Sequence, residues 1–246
     1  DLDLVFVSTG ESGTTAGAKP IDNQRFFTRL AQRVIHILST NMMGGRLYEV
    51  DLRLRPNGDS GLVVTSAQAL ERYLKNDAWT WEHQALVRAR VVAGAPQLVT
   101  QVEALRAEVL STPRDDVSLA DEVTAMRQKM RDHSPAVGDA SHRVALKYGR
   151  GGIVDIEFVV QYLVLKHAAH YPELGRWSDV VRILQALEAC RILSSSDANS
   201  LKEAYLGLRS SVHRAAVSNA SDGDSVETDE LMKQASAVCT RLLPNL

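Results

Sequence analysis

Period-two alternation of apolar and polar residues is confined to the part of this 246-residue chain before residue 65, and helical stripes run through the rest. Asp1-Leu2-Asp3-Leu4-Val5-Phe6-Val7 reads as a strand over 1–7. Because strand side chains alternate between faces, Asp1 and Asp3 share one face while Leu2, Leu4 and Phe6 share the other. Tyr48-Glu49-Val50-Asp51-Leu52-Arg53-Leu54-Arg55-Pro56 alternates in the same way and predicts a strand over 47–55. The turn-forming run Pro56 to Gly61 then leads to Leu62-Val63-Val64, which reads as a return strand closing a hairpin. These patterns predict an α+β fold. A mixed segment over 1–111 combines strands with helices, and an all-helical bundle follows over 112–246.

The helical readings follow from spacing and caps. Phe26, Phe27, Leu30, Val34, Ile35 and Leu38 form the first stripe, after a Gly-, Ser- and Thr-rich stretch (10–20) that reads as a mobile loop. Thr65 or Ser66 caps a helix running to about Lys75, and a tryptophan-rich helix spans Trp79 to Val92. Leu98, Val102, Leu105 and Val109 form a further stripe. Ser118 to Asp121 resembles a capping box, and 136–143 reads as a loop. Gly149 to Gly152 introduces Ile153 to His167, apolar nearly all round and therefore predicted to be buried. Ser178 is positioned to cap Val180 to Leu193, Ser194 to Ser196 break that helix, and 218–224 is a loop before the last stripe.

Composition narrows the function classes. With 45% hydrophobic and 24% charged residues the chain has the make-up of a soluble globular protein, and a net charge of −2 gives no support for a nonspecific nucleic-acid binder. Cys190 and Cys239 are isolated, as expected for buried thiols in a reducing, cytoplasmic setting. There is no membrane-length apolar run, and the seven histidines have no ligand-type spacing. A start on a charged residue inside a strand predicts a piece of a longer polypeptide.

The candidate chemistry is carboxylate-based. Neighbouring carboxylates on one strand face repel unless a cation sits between them. A D-x-D strand (Asp1, Asp3) with a third Asp on another strand (Asp51) matches the ligand set of a two-Mg²⁺ nucleotidyl-transfer site. The same pattern also describes a solvated sheet face, with Arg53 and Arg55 in a surface ion-pair row. Lys147 and Arg150 flank a Gly-rich turn before a helix, a place suited either to an anion or to a plain capping loop with solvated cations. Glu82, Arg88 and Arg90 read chiefly as structural ion pairs. Asp155 and Glu157, in the first turns of an apolar helix, either complement its dipole or bind backbone or Arg.

Several longer segments resemble the glutamine synthetase adenylyltransferase family: Asp1 to Phe6, Leu47 to Pro56, Ala78 to Val92, Gly151 to Phe158 and Arg176 to Asp179. The resemblance covers nearly the whole chain, more weakly after residue 215. It implies a bifunctional regulator of nitrogen assimilation built from two related halves. Each half pairs a polymerase-β-like nucleotidyltransferase domain with a helical domain. One half transfers AMP from ATP to a tyrosine of glutamine synthetase, and the other removes it by phosphorolysis. The Trp79-Thr80-Trp81-Glu82-His83 run and the Gly151-Gly152-Ile153-Val154-Asp155 run are similar to the adenylylating half. The Gly/Ser stretch that precedes D-x-D in the family has no counterpart in a sequence opening on Asp1.

The resemblance implies Asp1, Asp3 and Asp51 as catalytic ligands of two Mg²⁺ ions, with ATP as substrate. Arg53 and Arg55, and more weakly Lys147 and Arg150, are the implied nucleotide-phosphate contacts. It implies glutamine synthetase as protein substrate, with the PII signalling protein and glutamine as regulators of the whole enzyme, and neither nucleic acid nor membrane as partner. The alternatives are the deadenylylating half and a catalytically silent regulatory or docking module.

Overall fold

Asp51 ends its own strand. Its carboxylate Oδ1 accepts the backbone N–H of Arg53 at 2.7 Å, a side-chain-closed turn that bends the chain two residues on. In the computed structural model, which describes residues 2–46, 48–133, 142–218, 225–244 and 246, the strand expected over 47–55 is therefore only Val50–Asp51. The chain divides into two units, one comprising residues 1–82 and 91–109, the other 83–90 and 110–246.

The first unit mixes short strands with helices. The strand expected over 1–7 is broken at Leu4 and Val5 into β1 (Leu2–Asp3) and β2 (Phe6–Ser8). Helix α1 (Asn23–Ser39) follows, with Asp22 accepting the Arg25 N–H at its start. Then come β3 (Asn41–Met42), β4 (Gly45–Arg46), β5 (Val50–Asp51) and β6 (Val64–Ser66). The ladders are three two-stranded pieces: β1 with β5 and β2 with β6, both parallel, and β3 with β4, antiparallel. The expected hairpin does not form, because β6 pairs with β2 rather than with the segment before Pro56. Gly61 is tied into the intervening loop: a Cβ there would sit 1.9 Å from the Pro56 carbonyl oxygen.

Ser66 caps α2 (Ala67–Asn76) by accepting the Ala69 N–H at 3.1 Å. The tryptophan-rich helix α3 runs Thr80–Arg88 and stops short of Val92. Glu82 accepts the Trp79 N–H at 2.9 Å and the Tyr73 hydroxyl at 2.8 Å, closing the start of that helix. Helix α4 (Pro96–Leu110) begins on proline, whose missing N–H is harmless at a first turn. Val64, Ala67, Leu70, Leu74, Leu105 and Val109 form the buried apolar set of this unit. The α1 stripe does not join it fully: Phe26 and Leu30 are exposed, Phe27, Val34, Ile35 and Leu38 are half-buried, and the residue this helix buries is Ala31, outside the stripe. Residues 10–20 are closed by the backbone rather than open, with Thr15 N–H donating to Ile21 O and Asn23 N–H to Gly13 O, both at 2.9 Å.

The second unit has helices and no strand among its described residues. Its elements are α5 (Asp116–Asp132), α6 (His142–Tyr148), α7 (Ile153–His167), α8 (Val180–Ala189), α9 (Ser195–Ser218) and α10 (Ser225–Leu242). Helix α7 has the predicted bounds and burial, and α5, α6, α8, α9 and α10 all pack on it. Two caps differ from expectation. Asp115 rather than Ser118 caps α5, and Asp179 rather than Ser178 caps α8. The end of α8 comes before Leu193: Arg191 takes a left-handed conformation (φ 58°) and Ile192 N–H donates back to Leu187 O at 2.9 Å. Gly151 (φ 70°) is required where the turn before α7 meets α10, since a Cβ there would lie 1.9 Å from the Met232 carbonyl oxygen. The loop expected over 136–143 lies outside the described residues to 141 and gives way to α6 at His142, and that over 218–224 lies outside them from 219.

Candidate carboxylate site

The parallel ladder of β1 and β5 puts Leu2 beside Val50 and Asp3 beside Asp51. Leu2 N–H donates to Glu49 O at 2.8 Å and Leu4 N–H to Asp51 O at 2.9 Å, which fixes the register. In-register partners of a parallel pair project to the same face, with strands about 4.8 Å apart. Asp3 and Asp51 are thus neighbouring carboxylates on one sheet face, Asp3 exposed and Asp51 with 24% of its side chain exposed. Asp1 lies outside the described residues.

Asp51 is bound by its neighbour. Besides the backbone N–H on Oδ1, Arg53 Nε donates to Oδ2 at 2.7 Å and Arg53 Nη2 closes an ion pair with the same oxygen. This hydrogen-bonded guanidinium, more than anything else, holds the Asp51 carboxyl below the ordinary carboxylate range against a smaller opposing effect of burial. Arg53 is in turn held in its charged form, first by Asp51 and more weakly by Asp59 and Asp3. An ionised Asp51 beside a second carboxylate is a hard-oxygen pair of the kind that holds Mg²⁺ together with substrate phosphates, so the donor set fits that ion. No group of three or more His, Cys, Asp or Glu side chains suited to a metal occurs among the described residues.

Within the same unit, Arg55 is not brought to this face. Arg55 is buried, and its guanidinium donates to three backbone carbonyls, Leu52, Asp59 and Gly61, at 3.1–3.2 Å. It holds the loop after Asp51 in shape, with three of its five N–H donors engaged by the chain itself. Lys147 and Arg150 belong to the second unit. Lys147 Nζ lies over the Tyr148 ring at 5.2 Å, and Arg150 lines an open cleft of about 700 Å³ along α10 with Lys233, Ser236, Thr240 and Arg241.

Asp155 and Glu157 are structural. Asp155 is buried in the second unit, where Arg127 Nε donates to it at 2.6 Å, Arg131 Nη2 at 3.0 Å and the Gly151 N–H at 2.8 Å. Arg127 is fully buried and also donates to Tyr148 O at 2.6 Å. Burial pulls its guanidinium below the usual range despite the pairing with Asp155. Glu157 pairs with Arg88 and accepts the Tyr205 hydroxyl at 3.1 Å. Sequence reasoning passed over Arg127 and Arg131. The available signal was two arginines four apart beside Met126 and Met130 on a helix whose inner face is otherwise apolar.

With this geometry in hand, comparison with known proteins is specific. A family model described as glutamate-ammonia ligase adenylyltransferase matches residues 1–105, and one described as GlnD PII-uridylyltransferase matches residues 124–241. A bifunctional glutamine synthetase adenylyltransferase/adenylyl-removing enzyme of Pseudomonas putida is 50% identical over 228 residues, covering 88% of this chain and 23% of that protein. The enzyme of the same description from Hahella chejuensis is 47% identical over 239 residues, covering 95% of this chain and 24% of its own length. The chain thus spans about a quarter of the length of these relatives. Among the described residues no helix is long and apolar enough to cross a membrane.

Proposed function

Since the chain belongs to the family of bifunctional glutamine synthetase adenylyltransferase/adenylyl-removing enzymes, we propose that it is an adenylyl-transferring portion, moving AMP from ATP to a tyrosine of glutamine synthetase. The observation that carries this reading is the in-register pairing of Asp3 with Asp51, two carboxylates side by side on one face of a parallel ladder. The first unit is read as a polymerase-β-like palm and the second as its helical companion. The choice of transfer over removal rests on the resemblance of the Trp79–His83 and Gly151–Asp155 segments to the adenylylating half.

The chemical problem is attack of a weakly nucleophilic tyrosine hydroxyl on the α-phosphate, with charge building on phosphate and pyrophosphate. Two Mg²⁺ ions bound at Asp3 and Asp51, with Asp1 as third ligand, would supply charge stabilisation and a more acidic hydroxyl. The protein's own part begins with Asp51, kept ionised and ready to accept by Arg53. Asp3 adds a second negative centre within one strand spacing. Arg53, three-quarters exposed, offers a permanent cation to phosphate oxygens. Arg55 keeps the loop behind Asp51 from drifting.

The test is incubation with glutamine synthetase and ATP labelled at the α-phosphate. Label should appear on the acceptor with the chain and disappear with Asp3→Asn. Phosphate-dependent release of the adenylyl group from modified glutamine synthetase as ADP, without forward labelling, would assign the removing activity instead. Neither activity, together with no Mg·ATP binding, would leave the silent-module reading.

A further inference from the structure

The two oxygens of Asp51 are held in different ways. Oδ1 is bound by the Arg53 backbone N–H, part of the turn that ends β5, and cannot be released without undoing that turn. Oδ2 is bound by the Arg53 side chain, through Nε at 2.7 Å and through Nη2. That side chain is 74% exposed and is held by Asp51. The fold therefore fixes one oxygen and leaves the other under a removable cation. Asp3 stands beside it on the same face, close enough for its charge to act on the Arg53 guanidinium.

We propose that Arg53 is a placeholder cation: it occupies Asp51 Oδ2 until a divalent ion takes that oxygen, and the freed guanidinium then pairs with the phosphate oxygens of the incoming nucleotide. This rests on the reading of Asp3 and Asp51 as metal ligands given above. The exchange makes no covalent change and conserves charge pairing at each stage. Without metal, the Asp51 carboxylate is neutralised by Arg53. With metal and nucleotide, the carboxylate faces the divalent ion and the guanidinium faces phosphate, the bidentate geometry for which Arg is suited. One consequence is that metal and nucleotide favour each other, since metal sets free a phosphate-binding group and nucleotide stabilises the open position of Arg53. Lysine is a poor substitute, because a point charge lacks the fork that reaches Oδ2 through two nitrogens.

The direct readout is the ¹⁵N–¹H resonance of Arg53 Nε, assigned by its loss in Arg53→Lys. Substitutions at Arg53 keep the backbone N–H on Oδ1, so the turn and the fold survive them. Mg²⁺ should move the resonance to the position it takes in Asp51→Asn, and an ATP analogue uncleavable at the α-phosphate should move it again. In parallel, Mn²⁺ titration followed by electron paramagnetic resonance should give about two- to fivefold tighter binding without nucleotide in Arg53→Gln, the scale of an exposed ion pair. With Mn²⁺ present, the same variant should bind the analogue more weakly. If Mn²⁺ binds in an Asp51-dependent way while the Nε resonance stays unmoved by saturating Mg²⁺, the exchange is wrong and the metal-site reading stands. If Mn²⁺ does not bind even with the analogue, both fall.

Discussion

Among the described residues, every member of the continuous apolar core lies in the second unit, from Val87 and Leu110 through α7 to Leu243 and Leu246. The first unit buries a short set around Leu70, Leu74 and Val109 and leaves Phe26, Leu30, Ile37, Met42, Met43 and Leu62 to solvent. Yet the paired carboxylates are in the first unit, while the deeply placed Asp155 of the second is consumed by arginines. Apolar burial stabilises by roughly 25 cal/mol per Å², so the two units differ in what each can tolerate. One is held by packing and an internal ion cluster and, among its described residues, offers no carboxylate set suited to a metal. The other holds its acids where ligands can reach them, on ladders two or three residues long. Short ladders and sparse burial are also the features of regions that open at low free energy.

The sharpest way to break this contrast is to remove Asp155. Asp155→Ala leaves the buried Arg127 and the partly buried Arg131 without a counter-charge and should cost about 3–5 kcal/mol, read as a lowered urea midpoint by far-ultraviolet circular dichroism. An unchanged midpoint would mean that the cluster is not what holds the helical unit. Next in size is the packing contrast. Ile156→Ala, in the middle of the core, should cost about 3–4 kcal/mol, and Leu70→Ala, at the margin of the smaller set, nearer about 2. Equal losses would erase the distinction between the units.

The carboxylate pair should behave oppositely. Asp51→Asn is expected to lower AMP transfer by at least the ~100-fold that even an outer-shell change at a metal site can produce. It should shift the thermal midpoint by no more than about 3 °C, in line with an exposed ion pair. The smallest effect is on acid stability. The folded-state pKa of Asp51 lies below its ordinary value of 3.8, so its stabilisation is present above that value. It is lost as pH falls through the folded pKa, because the unfolded chain takes up the proton first. Stability measured from pH 5 to 2 should therefore fall slightly more steeply in the wild type than in Asp51→Asn, and parallel curves would show that Arg53 does not perturb this acid.

What the sequence disclosed, and what it hid, follows the same division. Ile153–His167 was legible because a run apolar on all sides has one stable use, the middle of a helical layer. Ser66 was legible as a cap because it directly precedes an amphipathic stripe. Alternation from Tyr48 to Leu54 misled. It encodes which face each side chain would take, but not that Asp51 captures the N–H of Arg53 and ends the ladder after two residues. Nor does it encode partner choice, so a return strand next in sequence looked natural, while Val64–Ser66 joins Phe6–Ser8 from 58 positions away. At the candidate site, Asp3 and Asp51 stood out in the sequence as acids on two predicted strands, a pattern shared with a solvated sheet face, and the β1–β5 register sets them side by side. In sequence Arg53 is favoured over Arg55 only for its place beside Asp51 on the strand, and three-dimensional neighbours are what separate an arginine facing solvent from one closing a loop. Ser118 and Ser178 were passed over as caps in favour of Asp115 and Asp179, equally good cap residues that the spacing alone did not rank.

Residues 83–90 count with the second unit although residues on both sides of them, up to 82 and from 91, count with the first. Val87 from that stretch is fully buried in the helical core, Arg88 pairs with Glu157, and Gln84 donates to Gln161 at 3.3 Å. The two units are therefore not two words written one after the other in the gene. A recombination event or cloning cut just before α5 would deliver the helical unit without a piece of its own interior, leaving a hole at Val87 and Glu157 without its arginine. Any lineage that traded this helical unit between transferases had either to carry a stretch of eight codons across with it or to rebuild the surface those codons cover.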